Sequence, residues 1–398
     1  MRNERDVTIA CCIRYYRMRN GMTLKQLAEK SRCSLQYIGE IERSEKSVPY
    51  EKCNAIFSAM NMTFDYTDES EINEKRKLNE FIMNLYHQNF SYFTNGNDFE
   101  LNEKVSSYGF LYSVLRYCAY ELLVKGKEDE TIFMEESIGD ILYYSGGITG
   151  SFFSLLISCL YLERDDIELS LKYILHAMDL SENDSYMEAI LHMQYSAVLQ
   201  KKKLYLSAIE ESRKALEISK DRYYFVLSAL INMNLGIIAG IMNMFEESFH
   251  YFNDALEIAG QLRKTDLIRK IELNKMQVLY ISNKEKEALK IAEMYADLGS
   301  DESCFLLFLN EFFNDNKSKN VYLKKVLHAK DANIALLSEH IISDQFGIYE
   351  SDCTVLEKIE GDVWLSRIFV NLLIKTYQMK DQYQNIGLLV SEQHILLS

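Results

Sequence analysis

"MTLKQLAEKSRCSLQYIGEIERSEKSVP", residues 22–49, is the stretch on which the reading of this chain turns. Thr23 is placed to cap a helix from Leu24 to about Lys30, and Ser34 to cap a second from Leu35 to about Arg43, because a hydroxyl just before a helix accepts from its unpaired first amides. Only a few residues separate the two, so they must cross at a tight turn. Leu27 and Ala28 on the first helix face Ile38 and Ile41 on the second, and the small Ala28 permits close approach. Upstream, Ile13 and Tyr16 on a helix from about Val7 to Arg19 supply a third side of a core that Ile56, Phe57 and Met60 close.

Outward from this head, composition predicts helices nearly end to end. The chain has 398 residues, a single proline and 16 glycines, so nothing regularly punctuates strands or long loops. Charge is divided unevenly. Residues 1–66 hold 11 Lys and Arg against 8 Asp and Glu, net +3, whereas the remainder carries net -18. Phosphates attract the head and repel the body. The eight cysteines show no CxxC spacing, which predicts reduced thiols in a cytoplasmic protein. "MRNERDV" lacks the apolar core of a signal peptide. Two uncharged runs, 146–162 and 228–245, approach the length of a membrane span, but they fall where a repeat helix is buried on two sides, and no membrane partner is expected.

The pattern in "IRYYRMRNGMTLKQLAEKSRCSLQYIGEIERSEKSVP" resembles the helix-turn-helix domain of Cro- and phage-repressor-like bacterial regulators. The resemblance implies that the helix from Ser34 to Glu42 enters the major groove of double-stranded DNA. Leu35, Gln36, Tyr37 and Glu40 then lie on the DNA-contacting helix, with Leu35 at a thymine methyl, Gln36 at adenine and Glu40 at cytosine. Thr23, Arg43 and Lys46 are placed for phosphates, and Arg17 with Glu42 forms a partly buried structural ion pair. Where the family has its turn glycine this chain has Arg32, so a non-glycine residue must take positive φ, and Ser44 stands where a glycine usually follows the second helix.

The body repeats itself. "LYLSAIEESRKALEIS" (204–219) and "MFEESFHYFNDALEIA" (244–259) align at an offset of 40 residues, and this looks like the tetratricopeptide repeat. With Gly236 as the small residue of a first helix, Ser248, Phe252 and Ala255 take the small, aromatic and small positions of the second. Ser170, Ile174 and Ala177 precede them in a weaker copy, and Ala288 with Ala292 follow. On the first helices the same step links Gln194, Asn234 and Asn274, whose amides offer the donor and acceptor that a peptide backbone needs. Lys270, Gln277 and Tyr280 share the face of Asn274 and complete the candidate peptide site.

The expected fold is all-α: a helix-turn-helix domain at 1–66, a polar linker at 67–80, and a right-handed α-solenoid of degenerate tetratricopeptide-like repeats at 81–398. This layout resembles the peptide-pheromone-responsive regulators of Gram-positive bacteria, the Rap, Rgg, NprR, PlcR and PrgX group. That resemblance implies a cytoplasmic homodimer that binds a short signalling peptide and alters its grip on DNA. The alternative is a peptide-responsive protein that acts on a response regulator or other protein partner, with a vestigial head. No enzyme chemistry is expected. "YSGGITGS" (144–151) lacks the Lys-Ser/Thr of a phosphate loop and reads as a turn opening a helix at Ser151, and the histidines show no metal-ligand spacing, so no cofactor or metal is expected.

Overall fold

The two helices that cross in the head, at residues 24–31 and 35–42, each start at a hydroxyl that satisfies an open amide. The computed structural model describes residues 4–94, 99–181, 184–313, 321–343, 345–359 and 361–392. Four helices make the head: α1 Glu4–Arg19, α2 Leu24–Ser31, α3 Leu35–Glu42 and α4 Tyr50–Ala59. Thr23 and Gln26 close a reciprocal capping box on α2, and Ser34 Oγ accepts from the Tyr37 amide at the start of α3. Ile13, Leu27, Ile38, Ile41, Ile56 and Phe57 are fully buried, with Tyr16, Ala28 and Met60 nearly so. Arg32 takes φ 56° and Ser44 φ 55°, so both stand-ins for glycine do adopt the left-handed conformation.

Beyond the head the chain departs from the expected layout. Strand β1, Thr63–Asp65, pairs in parallel with β2, Val105–Ser107, placing Thr63 opposite Val105. Helix α5 runs Asp68–Tyr86, so most of the segment expected to be a linker is regular helix. Its first turn holds Asp68, Glu69 and Glu71, where negative charge favours a helix N-terminus. What reads as a polar connector in sequence is therefore a regular helix, tied to α6, Phe110–Ala119, by Arg116 Nη2 donating to Glu74 at 3.2 Å. A π-helical turn at Tyr120–Val124 leads to α7, Asp129–Leu142.

The repeats follow: α8 Gly147–Glu163, α9 Ile167–Leu180, α10 Ser185–Lys201, α11 Tyr205–Asp221, α12 Phe225–Ile241, α13 Phe245–Gln261 and α14 Thr265–Ile281. The helix expected to open at Ser151 begins at Gly147, which takes φ 61°, and a side chain at Gly150 would strike the Ser145 carbonyl at 1.9 Å, so Gly147 serves the turn and Gly150 the packing. From α10 to α14 every helix has 17 residues and every turn three, which produces the 40-residue step. The turns close without glycine. Asp165, Lys203, Tyr223, Asn243, Arg263 and Asn283 all take positive φ, and the next residue's amide reaches back to a carbonyl in the last helical turn, as Leu204 N does to Leu199 O at 2.9 Å and Met244 N to Ala239 O at 2.9 Å.

Within a hairpin, small residues mark the crossing of the paired helices. Ser170 Oγ donates to the Ser158 carbonyl (2.8 Å), Ser196 Oγ to the Ala208 carbonyl (2.8 Å) and Ser248 Oγ to the Gly236 carbonyl (2.6 Å). Phe252 and Ala255 are fully buried, as the repeat pattern requires. The chain ends in α15 Glu285–Ala296, α16 Asp301–Phe313, α17 Leu323–Leu327, α18 Ala332–Ile342, α19 Tyr349–Ile359, α20 Val363–Met379 and α21 Tyr383–Glu392. Two compact units emerge, residues 1–227 and 228–398. The fold is all-α with a helical-repeat body. No helix among the described residues is long and apolar enough to cross a membrane.

Candidate nucleic-acid interface and ligand groove

The outer face of α3 is built by the residues that the sequence singles out. Leu35 is 52% exposed at the first turn of the helix. Next to it, Gln36 Nε2 donates to Glu40 Oε1 one turn on at 2.8 Å, and Lys46 Nζ reaches Glu40 Oε2 at 3.4 Å while lying 5.1 Å from the Tyr37 ring centre. The amide and the ammonium together hold the Glu40 carboxyl below its ordinary pKa, the Gln36 hydrogen bond contributing most. Arg43 is exposed and pairs with Glu45 at 2.8 Å. Thr23 and Ser34 spend their hydroxyls on the helix caps. Behind this face Arg17 clamps Glu42 through two hydrogen bonds, at 2.6 and 2.9 Å, with side chains only 12% and 6% exposed. That pair locks α1 to α3 and fixes the angle at which α3 is presented.

The candidate peptide residues fall in both compact units: Gln194 belongs to the first, and Asn234, Lys270, Asn274, Gln277 and Tyr280 to the second. Gln194 lies on α10 with its Nε2 buried and unpartnered. Asn234 is half-buried on α12. On α14, Asn274 Nδ2 donates to the Lys270 carbonyl at 2.8 Å, an ordinary bond within the helix, and burial pushes the Lys270 ammonium pKa down. Gln277 and Tyr280 open onto cavities. Tyr280 lines a pocket of about 570 Å³ whose apolar walls are Leu289, Leu309, Phe313, Leu372 and Met379, and whose Glu285 and Lys375 are paired at 2.9 Å. Burial, and then the Glu285 charge, raise the Tyr280 hydroxyl pKa. Gln277 lines a smaller space of about 70 Å³ with Glu302, Asp331, Asp362 and Trp364, and its Oε1 is buried without a partner.

Sequence reasoning missed the face that α20 contributes. Leu372, Lys375 and Met379 carry no repeat signature, and only the tertiary fold sets them against α14 to α16. It also missed the column two residues before the amide ladder. There His192 Nδ1 meets Glu211 Oε2 at 2.6 Å, Asn232 is 1% exposed with both amide atoms unpartnered, and Glu272 accepts from Tyr295. The 40-residue step from His192 to Asn232 to Glu272 is as regular as that of the ladder, and was available as a signal.

Comparison with known proteins divides along the same line. The helix-turn-helix family matches residues 13–66. These residues are a helix-turn-helix domain. The helix-turn-helix segment accounts for the head alone, and no curated protein matches the chain in sequence. The solved structure of a Rap protein complexed with competence and sporulation factor superposes with a TM-score of 0.62 at 13% identity, covering 82% of this chain and 98% of that one. The chain therefore shares the Rap fold. Apo RapI (TM-score 0.46, 18% identity, 68% and 99% of the two chains) and Bacillus thuringiensis PlcR in complex with the peptide PapR7 and DNA (0.41, 14%, 66% and 99%) are more distant.

Proposed function

We propose that this chain is a cytoplasmic transcriptional regulator, acting as a homodimer, in which the helix-turn-helix domain reads DNA and the repeat body senses a short signalling peptide. The carrying observation is the outer face of α3: exposed Leu35 and Gln36, with basic Arg43 and Lys46 flanking them, on a helix whose angle is fixed by the buried Arg17–Glu42 pair. A pre-set recognition helix costs little reorganisation on binding. The net +3 head supports phosphate contact, and the two-fold symmetry common in operators favours two copies. The 570 Å³ pocket beside Tyr280 is of the size that takes a ligand of a few residues, and the Rap fold, solved with competence and sporulation factor bound, agrees with a body that holds a peptide.

The test is a gel shift of the full-length protein against fragments of its own upstream region at low salt, with Gln36→Ala and Arg43→Ala as controls. Binding by the wild type that both variants lose supports the reading. If no genomic fragment binds while a response regulator or other protein is captured equally by wild type and both variants, the head is vestigial and the body acts on a protein partner.

A further inference from the structure

We infer that the DNA-reading head and the first helices of the body form one mechanical unit, with α1 as the shared element and Arg19 and Glu130 as positioning residues. A signal that reaches the head then turns α3 together with α6 and α7; it does not release a separate domain.

The argument begins with the two sides of α1. One side carries Arg17 to Glu42 on α3. The other side leaves the head altogether. Tyr15 is fully buried against Phe110 of α6 and Phe133 of α7, with ring centres 5.4 and 5.0 Å away. Cys11 and Cys12 are fully buried as well, and Cys12 Sγ lies 2.8 Å from Ser106 Oγ on β2. Arg19 Nη1 reaches Glu130 at 2.6 Å and Arg14 Nη1 reaches Asp140 at 2.9 Å, both on α7. At the far end of the head, β1 is hydrogen-bonded to β2, with Thr63 N on Lys104 O at 2.9 Å. The head is thus held at both of its ends.

Detaching it would bare Tyr15 and Tyr16, each an aromatic side chain that hides on the order of 150–250 Å². It would also strand the buried thiols and open a parallel strand pair. Motions at a hinge come from segments with few buried contacts, and this junction has many.

Native-state hydrogen exchange on the full-length chain, at increasing guanidinium, tests this without reference to DNA, so it stands or falls separately from the proposed function. The amides of Ile38 and Ile41 in α3 should exchange along the same denaturant curve as those of Ile138 and Leu142 in α7. Glu130→Arg should speed exchange in α3 and α7 together by at least ten-fold, and the swap Arg19→Glu with Glu130→Arg should restore both. Exchange of α3 on a separate, shallower curve, or a Glu130→Arg effect confined to α7, would overturn the inference. A swap that fails to restore protection would remove Arg19 and Glu130 from the positioning role.

Discussion

Ser44 carries a cost that the rest of the head absorbs. It follows α3 at φ 55°, where a Cβ is disfavoured by roughly 1–2 kcal/mol, and its Oγ is buried without a hydrogen-bond partner. Ser44→Gly removes both terms and should stabilise the protein by about 1 kcal/mol, read as a higher urea midpoint at unchanged slope; a lower midpoint would show that the hydroxyl has an unseen role. At α3 itself, Gln36 and Lys46 both hold Glu40 yet are assigned different work. Gln36→Ala should weaken binding to the cognate site by about 1–3 kcal/mol and leave random DNA unaffected, whereas Lys46→Ala should weaken both and flatten the salt dependence by about one charge. Fluorescence anisotropy across a salt series separates the two, and equal losses on random DNA would remove Gln36 from base reading.

At the scale of the helix, the repeats depend on close approach. A side chain at Gly236 would stand 3.0 Å from three ring atoms of the fully buried Phe252. Alanine is the better helix former by about 1 kcal/mol, yet Gly236→Ala should destabilise by about 1 kcal/mol net, because Phe252 has no room to retreat. A rise in Tm would mean that the pair is looser than drawn. A different balance governs the start of α20. Asp362 caps that helix through the Trp364 and Leu365 amides, at 3.1 and 3.0 Å, while burial first, and then the charges of Asp331 and Glu302, raise its pKa. A raised carboxyl pKa means that the folded state holds the proton more tightly, so this group's contribution falls as pH rises from its unfolded value through its folded one. Asn keeps the cap without the charge. Asp362→Asn should therefore raise Tm at neutral pH and not at acid pH, and Asp362→Ala should cost the fold about 1 kcal/mol of stability through the lost cap. Equal Tm changes for Asn at both pH values would contradict the charge account.

For the molecule as a regulator, the pocket beside Tyr280 and the head must communicate if the proposed function holds. Leu289 is half-buried in the pocket wall, so Leu289→Trp fills the space without entering the packed core. The expected outcome is unchanged DNA affinity in the absence of peptide and loss of the peptide-induced change, measured by gel shift with and without peptide-containing spent medium. A full peptide response in Leu289→Trp would place the ligand elsewhere. Deleting residues 1–66 would be a poor substitute for such point variants. The cut would expose Phe110 and Phe133, whose packing against Tyr15 is part of the first compact unit.

What could be read in advance, and what could not, follows from the range of the forces involved. The caps at Thr23 and Ser34, the head core, the positive φ at Arg32, and the 40-residue step with its small residues at Gly236, Ser248 and Ala255 are local or periodic, so the sequence alone determined them. Helix ends were harder. The repeat turns at Asp165, Lys203, Tyr223, Asn243, Arg263 and Asn283 carry no glycine to mark them. The chain could not disclose that residues 67–80 are mostly helix, since a polar amphipathic helix and a polar linker share a composition and differ in what packs against them. Nor could it disclose the β1–β2 pair, whose partners lie about 40 residues apart in three-residue strands. The burial of Tyr15 between α6 and α7, and the α20 wall of the pocket, were decided only by the tertiary structure: each joins residues far apart in the chain, where no period or spacing records which surfaces will meet.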